Sequence, residues 1–174
     1  MKAAAAPAAP VTPAWAWRAM TVNDLDRVMA VEMQAYPFPW TRGHFIDSLA
    51  AGYLAQLLVA GDALVGYYVA MPGVDELHLL NLTVAPAHQQ RGHARALLSH
   101  LAQTARAAGA AQIWLEVRES NERARRLYER WGFERVGLRK GYYPAARGQR
   151  EDALVMRWAV PTDGTTERAG DGLV

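Results

Sequence analysis

Three features of this chain have residue types and spacing that could do chemistry. They are a carboxylate on an apolar strand, Glu116; a phenol on the inner face of a helix, Tyr128; and a strand-to-helix turn spelled Gln89-Gln90-Arg91-Gly92-His93-Ala94-Arg95. The turn is the most informative. An apolar strand runs out through Val84, Pro86 stops it, and the turn opens directly into an amphipathic helix. Backbone N–H groups at a helix start lack partners within the helix, and the positive end of the helix dipole lies behind them, so such a point attracts a diphosphate. Gly92 permits close backbone approach and Ala94 adds little bulk. No Gly-Lys-Ser/Thr follows, which excludes a Walker loop, and the glycine spacing is not that of a dinucleotide-binding turn. An ordinary strand-to-helix turn has the same local pattern, so on these residues alone both readings stand.

Glu116 sits among Trp114, Leu115 and Val117. Partial burial there should raise its pKa and make it a better proton acceptor. The competing reading pairs it with Arg118, two residues along on the same strand face. Tyr128, with a phenol pKa of about 10, could protonate a departing thiolate; the competing reading is a core aromatic. Asn121 opens the helix that carries Tyr128 and suits an N-cap. The five histidines, His44, His78, His88, His93 and His100, show no metal-ligand spacing and read as structural or surface residues, so no metal is expected.

The elements that must position these groups follow from periodicity. Trp15, Trp17 and Ala19 alternate as a first strand. Thr21 or Asn23 caps a helix through about Ala35, Tyr36-Pro-Phe-Pro-Trp40 is a loop because of its two prolines, and Thr41 caps a short helix to about Leu49. Leu54 to Ala60 and Ala63 to Met71 form a hairpin about Gly61-Asp62, and Leu77 to Val84 is a further strand. Leu97, Leu98, Leu101 and Ala105 stripe a helix from Gly92 to Ala108. Ile113, Leu115 and Val117 alternate on a strand, and Ala124, Leu127, Tyr128 and Trp131 share a helix face closed by Gly132. Strands at Phe133 to Arg139 and Ala153 to Trp158 are separated by Gly141-Tyr-Tyr-Pro144 and a polar turn. This order predicts an α/β (α+β) fold with a single mixed, twisted sheet of about seven strands and helices on both faces.

Bulk properties narrow the function. A chain of 174 residues that is 51% hydrophobic suits one globular domain. We expect it over residues 14–160, preceded by a disordered Ala/Pro-rich leader over 1–13 and followed by a flexible tail over 161–174. Lys and Arg total 19 against 17 Asp and Glu, an excess too small and scattered for nucleic-acid binding. No stretch has the length of a membrane span. The absence of cysteine excludes disulfides and a cysteine acyl-enzyme, and fits a cytoplasmic location.

The turn matches the Gln/Arg-x-x-Gly-x-Gly/Ala pattern of the GNAT N-acetyltransferases at Gln89, Gly92 and Ala94, and the element order is that of the GNAT fold from roughly Trp15 to Val160. Phe38-Pro-Trp40, Trp114-Leu-Glu-Val-Arg118, Asn121, Leu127-Tyr128-Glu129, Gly132-Phe133, Tyr142-Tyr-Pro144 and Glu151-Asp-Ala153 together resemble the RimI branch of that family. That branch acetylates the N-terminal alanine of the eighteenth small-subunit ribosomal protein. The resemblance implies acetyl-CoA as cosubstrate and a basic, Ala-start ribosomal peptide as acceptor. It implies direct transfer with Glu116 as base and Tyr128 as acid. It places Leu82, Thr83 and Val84 along the pantetheine arm, with carbonyl polarisation from the backbone near Val84. It places Gln89, Gln90, Arg91, Gly92, His93, Ala94 and Arg95 about the pyrophosphate, and gives Asn121 a bond to the cofactor. Phe38, Trp40, Tyr142 and Tyr143 would cover the acceptor groove, where Glu151, Asp152, Asp75 and Glu76 would favour a basic peptide. The chain departs from the family in having Gly141 where Asn is common before Tyr-Tyr-Pro, so a side-chain contact from there is missing. A monomer is expected. Two other functions fit the same residues: acetyl transfer to a lysine, polyamine or antibiotic amine, and a non-catalytic acetyl-CoA sensor.

Overall fold

The structure, a computed structural model, describes residues 15–161; the expected leader and most of the expected tail lie outside them. The elements run β1 (Trp15–Ala19), α1 (Leu25–Ala35), α2 (Arg42–Ala50), β2 (Leu54–Ala60), β3 (Ala63–Pro72), β4 (Glu76–Val84), α3 (His93–Ala107), β5 (Gln112–Arg118), α4 (Glu122–Trp131), β6 (Glu134–Pro144) and β7 (Arg150–Ala159). They build one seven-stranded sheet in the order β1-β2-β3-β4-β5-β7-β6. Only the β4–β5 pair is parallel, so the expected mixed sheet is present.

Two apolar clusters hold the layers together, one on each face of the sheet. Leu97, Leu98, Leu101 and Ala105 of α3 pack with Tyr68, Leu77, Leu79, Ile113, Leu115 and Met156. Leu25 and Val28 of α1 and Phe45 of α2 pack with Leu57, Tyr67 and Val69. Each fully buried side chain of this kind contributes about 1.5–3 kcal/mol. The helix stripes predicted from spacing are therefore the faces that fold against the sheet.

Local sequence sets the ends of the elements. The expected first helix opens as a single tight turn, Val22–Asp24, before α1 begins. The Asp24 carboxylate accepts hydrogen bonds there from the Thr21 backbone N–H (2.8 Å) and hydroxyl (3.0 Å), and from Arg18 and Arg27. Thr41 caps α2, and Asn121 caps α4 by accepting from the Ala124 N–H at 3.1 Å. One boundary differs from expectation. Gly141 to Pro144 is part of β6 rather than a loop between strands, because pairing with β7 breaks after Arg139 and resumes at Tyr143↔Glu151.

Two irregularities in β4 matter more than the rest of the sheet. Val69 pairs with Asn81 and Ala70 with Leu79, which leaves Leu80 as the extra residue of a β-bulge. Because side chains alternate along a strand, the bulge reverses parity. Leu77 and Leu79 face α3, whereas Asn81 and Thr83 turn to the α1 face. The second irregularity is a parting of strands. β4 and β5 pair only from Glu76↔Gln112 to Leu79↔Leu115, although β4 stays on β3 as far as Val84 and β5 stays on β7 as far as Arg118. A V-shaped gap opens at that point.

Candidate active site

Glu116, the stretch Leu82 to Val84 and Tyr143 meet at the gap between β4 and β5. Glu116 is the first residue of β5 past the last β4 pair. Its carboxylate is nearly buried, 7% exposed, with Oε2 at 2.6 Å from His78 Nε2 of β4 and Oε1 at 3.2 Å from the Arg139 guanidinium of β6. The Arg139 contact has ion-pair distance without hydrogen-bond alignment, so Oε1 remains a buried acceptor with no hydrogen-bond donor among the described residues. The competing reading of Glu116 falls and one expectation about it is corrected. It does not pair with Arg118, which ion-pairs with Glu151 at 3.3 Å instead. Its pKa is lowered rather than raised: desolvation pushes it up, but the His78 hydrogen bond and the charges of His78 and Arg139 outweigh that.

Tyr128 is the buried residue of α4, and its ring meets Phe133 at 5.5 Å between centroids. Burial pushes its phenol well above the usual range, and the neighbouring phenols of Tyr36 and Tyr143 push it the same way. A neutral donor is the result. The helix end fixes the ring: Gly132, at φ +110°, lets the Phe133 N–H return to the Tyr128 carbonyl at 2.9 Å. Tyr128 thus fills a core slot and also sits beside two phenols of the gap.

The turn before α3 has the properties of a diphosphate cradle. Gly92 is the N-cap at φ +81°, and a Cβ built there would meet nothing within 4 Å, so open space lies over it. Gln90 also takes a positive φ, 61°. The N–H groups of Gln90, Arg91, Gly92, His93, Ala94 and Arg95 have no acceptor among the described residues. Arg91 and Arg95 are exposed and have no acidic partner there. Two side chains of the turn are engaged elsewhere. His93 is buried, its ring at 4.3 Å from that of Trp15, which leaves its backbone N–H for a ligand. Gln89 donates to the Val84 carbonyl at 3.1 Å and accepts from Arg123 at 3.0 Å, bracing the turn between β4 and α4. The fit to acetyl-CoA is good: a free N–H cluster and open space for the pyrophosphate, then the unpaired edge of β4 for the pantetheine. On that edge the Leu82 carbonyl already accepts from the Tyr36 hydroxyl at 3.1 Å, and Thr83 is tied through its hydroxyl to Tyr36 and Asn81.

The acceptor side is only partly as expected. Phe38 and Tyr143 gather about one cation, Arg118, whereas Tyr142 lies 5.2 Å from the Arg139 guanidinium and meets Tyr143 edge-on. The Arg118 guanidinium lies 5.4 Å from the Phe38 ring and 4.4 Å from that of Tyr143, and the Tyr143 hydroxyl donates to the Glu116 carbonyl at 3.1 Å. Trp40 does not join them. Its ring packs on Phe45 and His44, and its N–H donates to the buried Glu32 carboxylate. The acidic residues expected to attract a basic peptide are committed or remote. Glu151 accepts from Arg118 and the Ser120 N–H, Asp152 accepts from the Gly141 N–H, and Asp75 and Glu76 lie at the far end of β4. Gly141 itself has φ +56°, a conformation open to Gly and Asn alike, which accounts for the exchange at this position.

The sequence alone does not give the contacts that His78, Arg139, Arg118 and Tyr36 make at the site. These contacts follow from the assembled sheet. Among the described residues no group of three or more acidic or histidine side chains is placed to hold a metal, and no helix is long and apolar enough to cross a membrane.

Residues 25–133 match the model of the acetyltransferase (GNAT) family. The chain belongs to the GNAT family. Its relatives include the [ribosomal protein bS18]-alanine N-acetyltransferase of Haemophilus ducreyi, 37% identical over 77% of this chain and 92% of the relative. The enzyme of that name from Salmonella typhimurium is 37% identical over 79% of this chain and 92% of its own length. The crystal structure of the ribosomal-protein-S18-alanine N-acetyltransferase from Escherichia coli superposes with a TM-score of 0.79 at 33% identity, covering 92% of this chain and 99% of that one. This GNAT chain is accordingly an acyltransferase that uses acetyl-CoA.

Proposed function

We propose that this chain transfers the acetyl group of acetyl-CoA to the α-amine of the N-terminal alanine of ribosomal protein bS18, with Glu116 as base and Tyr128 as acid. The observation that carries the reading is the parting of β4 and β5, which leaves an ionised carboxylate and a neutral phenol beside one gap; the relatives' shared activity supports the acceptor.

An α-amine has a reference pKa of about 7.7–8.0, against about 10.4 for lysine. Near neutral pH its proton is therefore within reach of one carboxylate acting directly or through a water. Glu116 receives that proton on the oxygen left without a donor. Acetyl-CoA supplies the activated thioester, held by the N–H cluster from Gln90 to Arg95 and by the open edge of β4 at Leu82 to Val84. Backbone groups near Val84 stabilise the negative charge that develops on the carbonyl oxygen. Tyr128 delivers its proton to the departing sulfur. Phe38, Tyr142 and Tyr143 form the wall along which the peptide enters, with Trp40 anchoring the base of the 36–40 loop.

The test is intact-mass spectrometry of a hexapeptide beginning Ala-Arg-Tyr after incubation with the protein and acetyl-CoA. One added acetyl group on the α-amine is expected. An unmodified peptide, with acetylation of a lysine or polyamine instead, would refute the acceptor.

A further inference from the structure

We infer that His78 is a positioning residue for the base: by donating to one oxygen of Glu116 it selects which oxygen takes the proton. The inference rests on the reading of Glu116 as base.

Geometry makes the first part of the case. His78 Nε2 and Glu116 Oε2 are 2.6 Å apart, across strands whose regular pairing ends one residue earlier. An ionised carboxylate only accepts, so the proton in this bond is on the imidazole and His78 donates. Oε2 is thereby occupied, and Oε1 is left buried with no hydrogen-bond donor among the described residues. A buried acceptor without a hydrogen-bond donor is costly unless something arrives to fill it. The ammonium of the acceptor, or a water in front of it, is the donor this site lacks. One N–H bond breaks, its electron pair stays on the amine nitrogen, and the new O–H bond forms at Oε1 while Oε2 stays with His78.

Charge makes the second part. The groups around the pair come from five elements. Arg139 and Tyr143 come from β6, the first against Oε1 and the second donating to the Glu116 carbonyl. Arg118 of β5 is paired with Glu151, and Arg157 of β7 lies over the Trp114 ring that neighbours His78 across the strands. Met71 of β3 faces His78 and carries no charge, and Glu32 of α1 is bound by Tyr67, Asn81 and the Trp40 N–H. Arg139 is thus the guanidinium that stands against the carboxylate among the described residues, and it favours the ionised form that accepts the proton.

Two substitutions test the assignment. His78→Gln keeps an N–H donor for Oε2; His78→Leu removes it. With saturating acetyl-CoA and peptide, we expect His78→Gln to retain kcat within about threefold, and His78→Leu to lose about 10–100-fold in kcat with acetyl-CoA affinity unchanged. A loss in His78→Gln as large as in His78→Leu, or a fully active His78→Leu, overturns the inference. If the alanine peptide is not the acceptor, the unaltered protein fails on it as well. The same comparison is then read on the amine that it does acetylate, since the argument concerns any ammonium.

Discussion

Between His78 on one oxygen and Arg139 beside the other, the Glu116 carboxylate stays ionised at neutral pH, which is the state a base requires. Glu116→Gln preserves shape and removes the acceptor. It should lower kcat by roughly 10²–10⁴-fold at pH 7.5 with coenzyme affinity nearly intact, as steady-state kinetics and titration calorimetry would report. A loss under about tenfold would assign the proton to water or another group. Tyr128→Phe should fold, because the ring still meets Phe133 and fills its slot, yet slow the transfer by about tenfold or more. Equal activity per folded molecule together with a lower melting temperature would make the phenol structural. Burial among Trp114, Leu115 and Val117 is visible in the sequence, but the His78 hydrogen bond and the Arg139 guanidinium that reverse its effect on Glu116 come from β4 and β6.

At the scale of elements, two glycines shape the turn before α3 and the open edge of β4. Gly92 caps α3 at φ +81°, where a branched side chain is strained and would stand in the open space over the N–H cluster. Gly92→Val should weaken acetyl-CoA binding by tenfold or more on the order of the anion contacts it blocks, read by calorimetry. Gly66 of β3 works by close approach: a Cβ there would lie 2.7 Å from the Thr83 carbonyl and 3.1 Å from Leu97. Gly66→Ala must push β4 and α3 away from β3, at a cost of about 1–3 kcal/mol seen in the denaturant midpoint. It should impair coenzyme binding too, since Thr83 and Val84 would move. An unchanged midpoint would mean that the sheet absorbs the methyl.

For the whole molecule, protonation works in one direction. Asp24, Glu116 and Glu151 have lowered pKa values, each raised by burial but lowered more by its partners, Arg18 and Thr21 for Asp24 and Ser120 and Arg118 for Glu151. The stability they contribute is present above the ordinary carboxylate range and is lost as pH falls through their folded values. His93 and His100 are also lowered, by burial first, and being kept neutral they begin the loss near the ordinary histidine value of about 6.5. All five favour the unfolded chain in acid. The urea midpoint should therefore decline below about pH 6.5 and more steeply below about pH 4. A midpoint that holds steady to pH 4 would show that these groups are accommodated by rearrangement.

Taken alone, the sequence determined the element order, the helix stripes, the caps at Thr41 and Asn121 and the turn that opens α3, and it pointed to Glu116 and Tyr128 as candidates. Each of these depends on residues within a few positions of one another, where periodicity and backbone preference act directly. The tertiary structure decided the rest. Leu80 is an apolar residue in an apolar strand, and nothing near it signals a bulge; the bulge arises from the match of β4 to β3, and it turns Asn81 and Thr83 to the face of Glu32 and Tyr36. His78 meets Glu116 and Arg118 meets Glu151 because β5 lies between β4 and β7 in the sheet. Strand order depends on the summed packing of both faces, a long-range quantity, and so the electrostatics of Glu116 became legible only once the sheet was assembled.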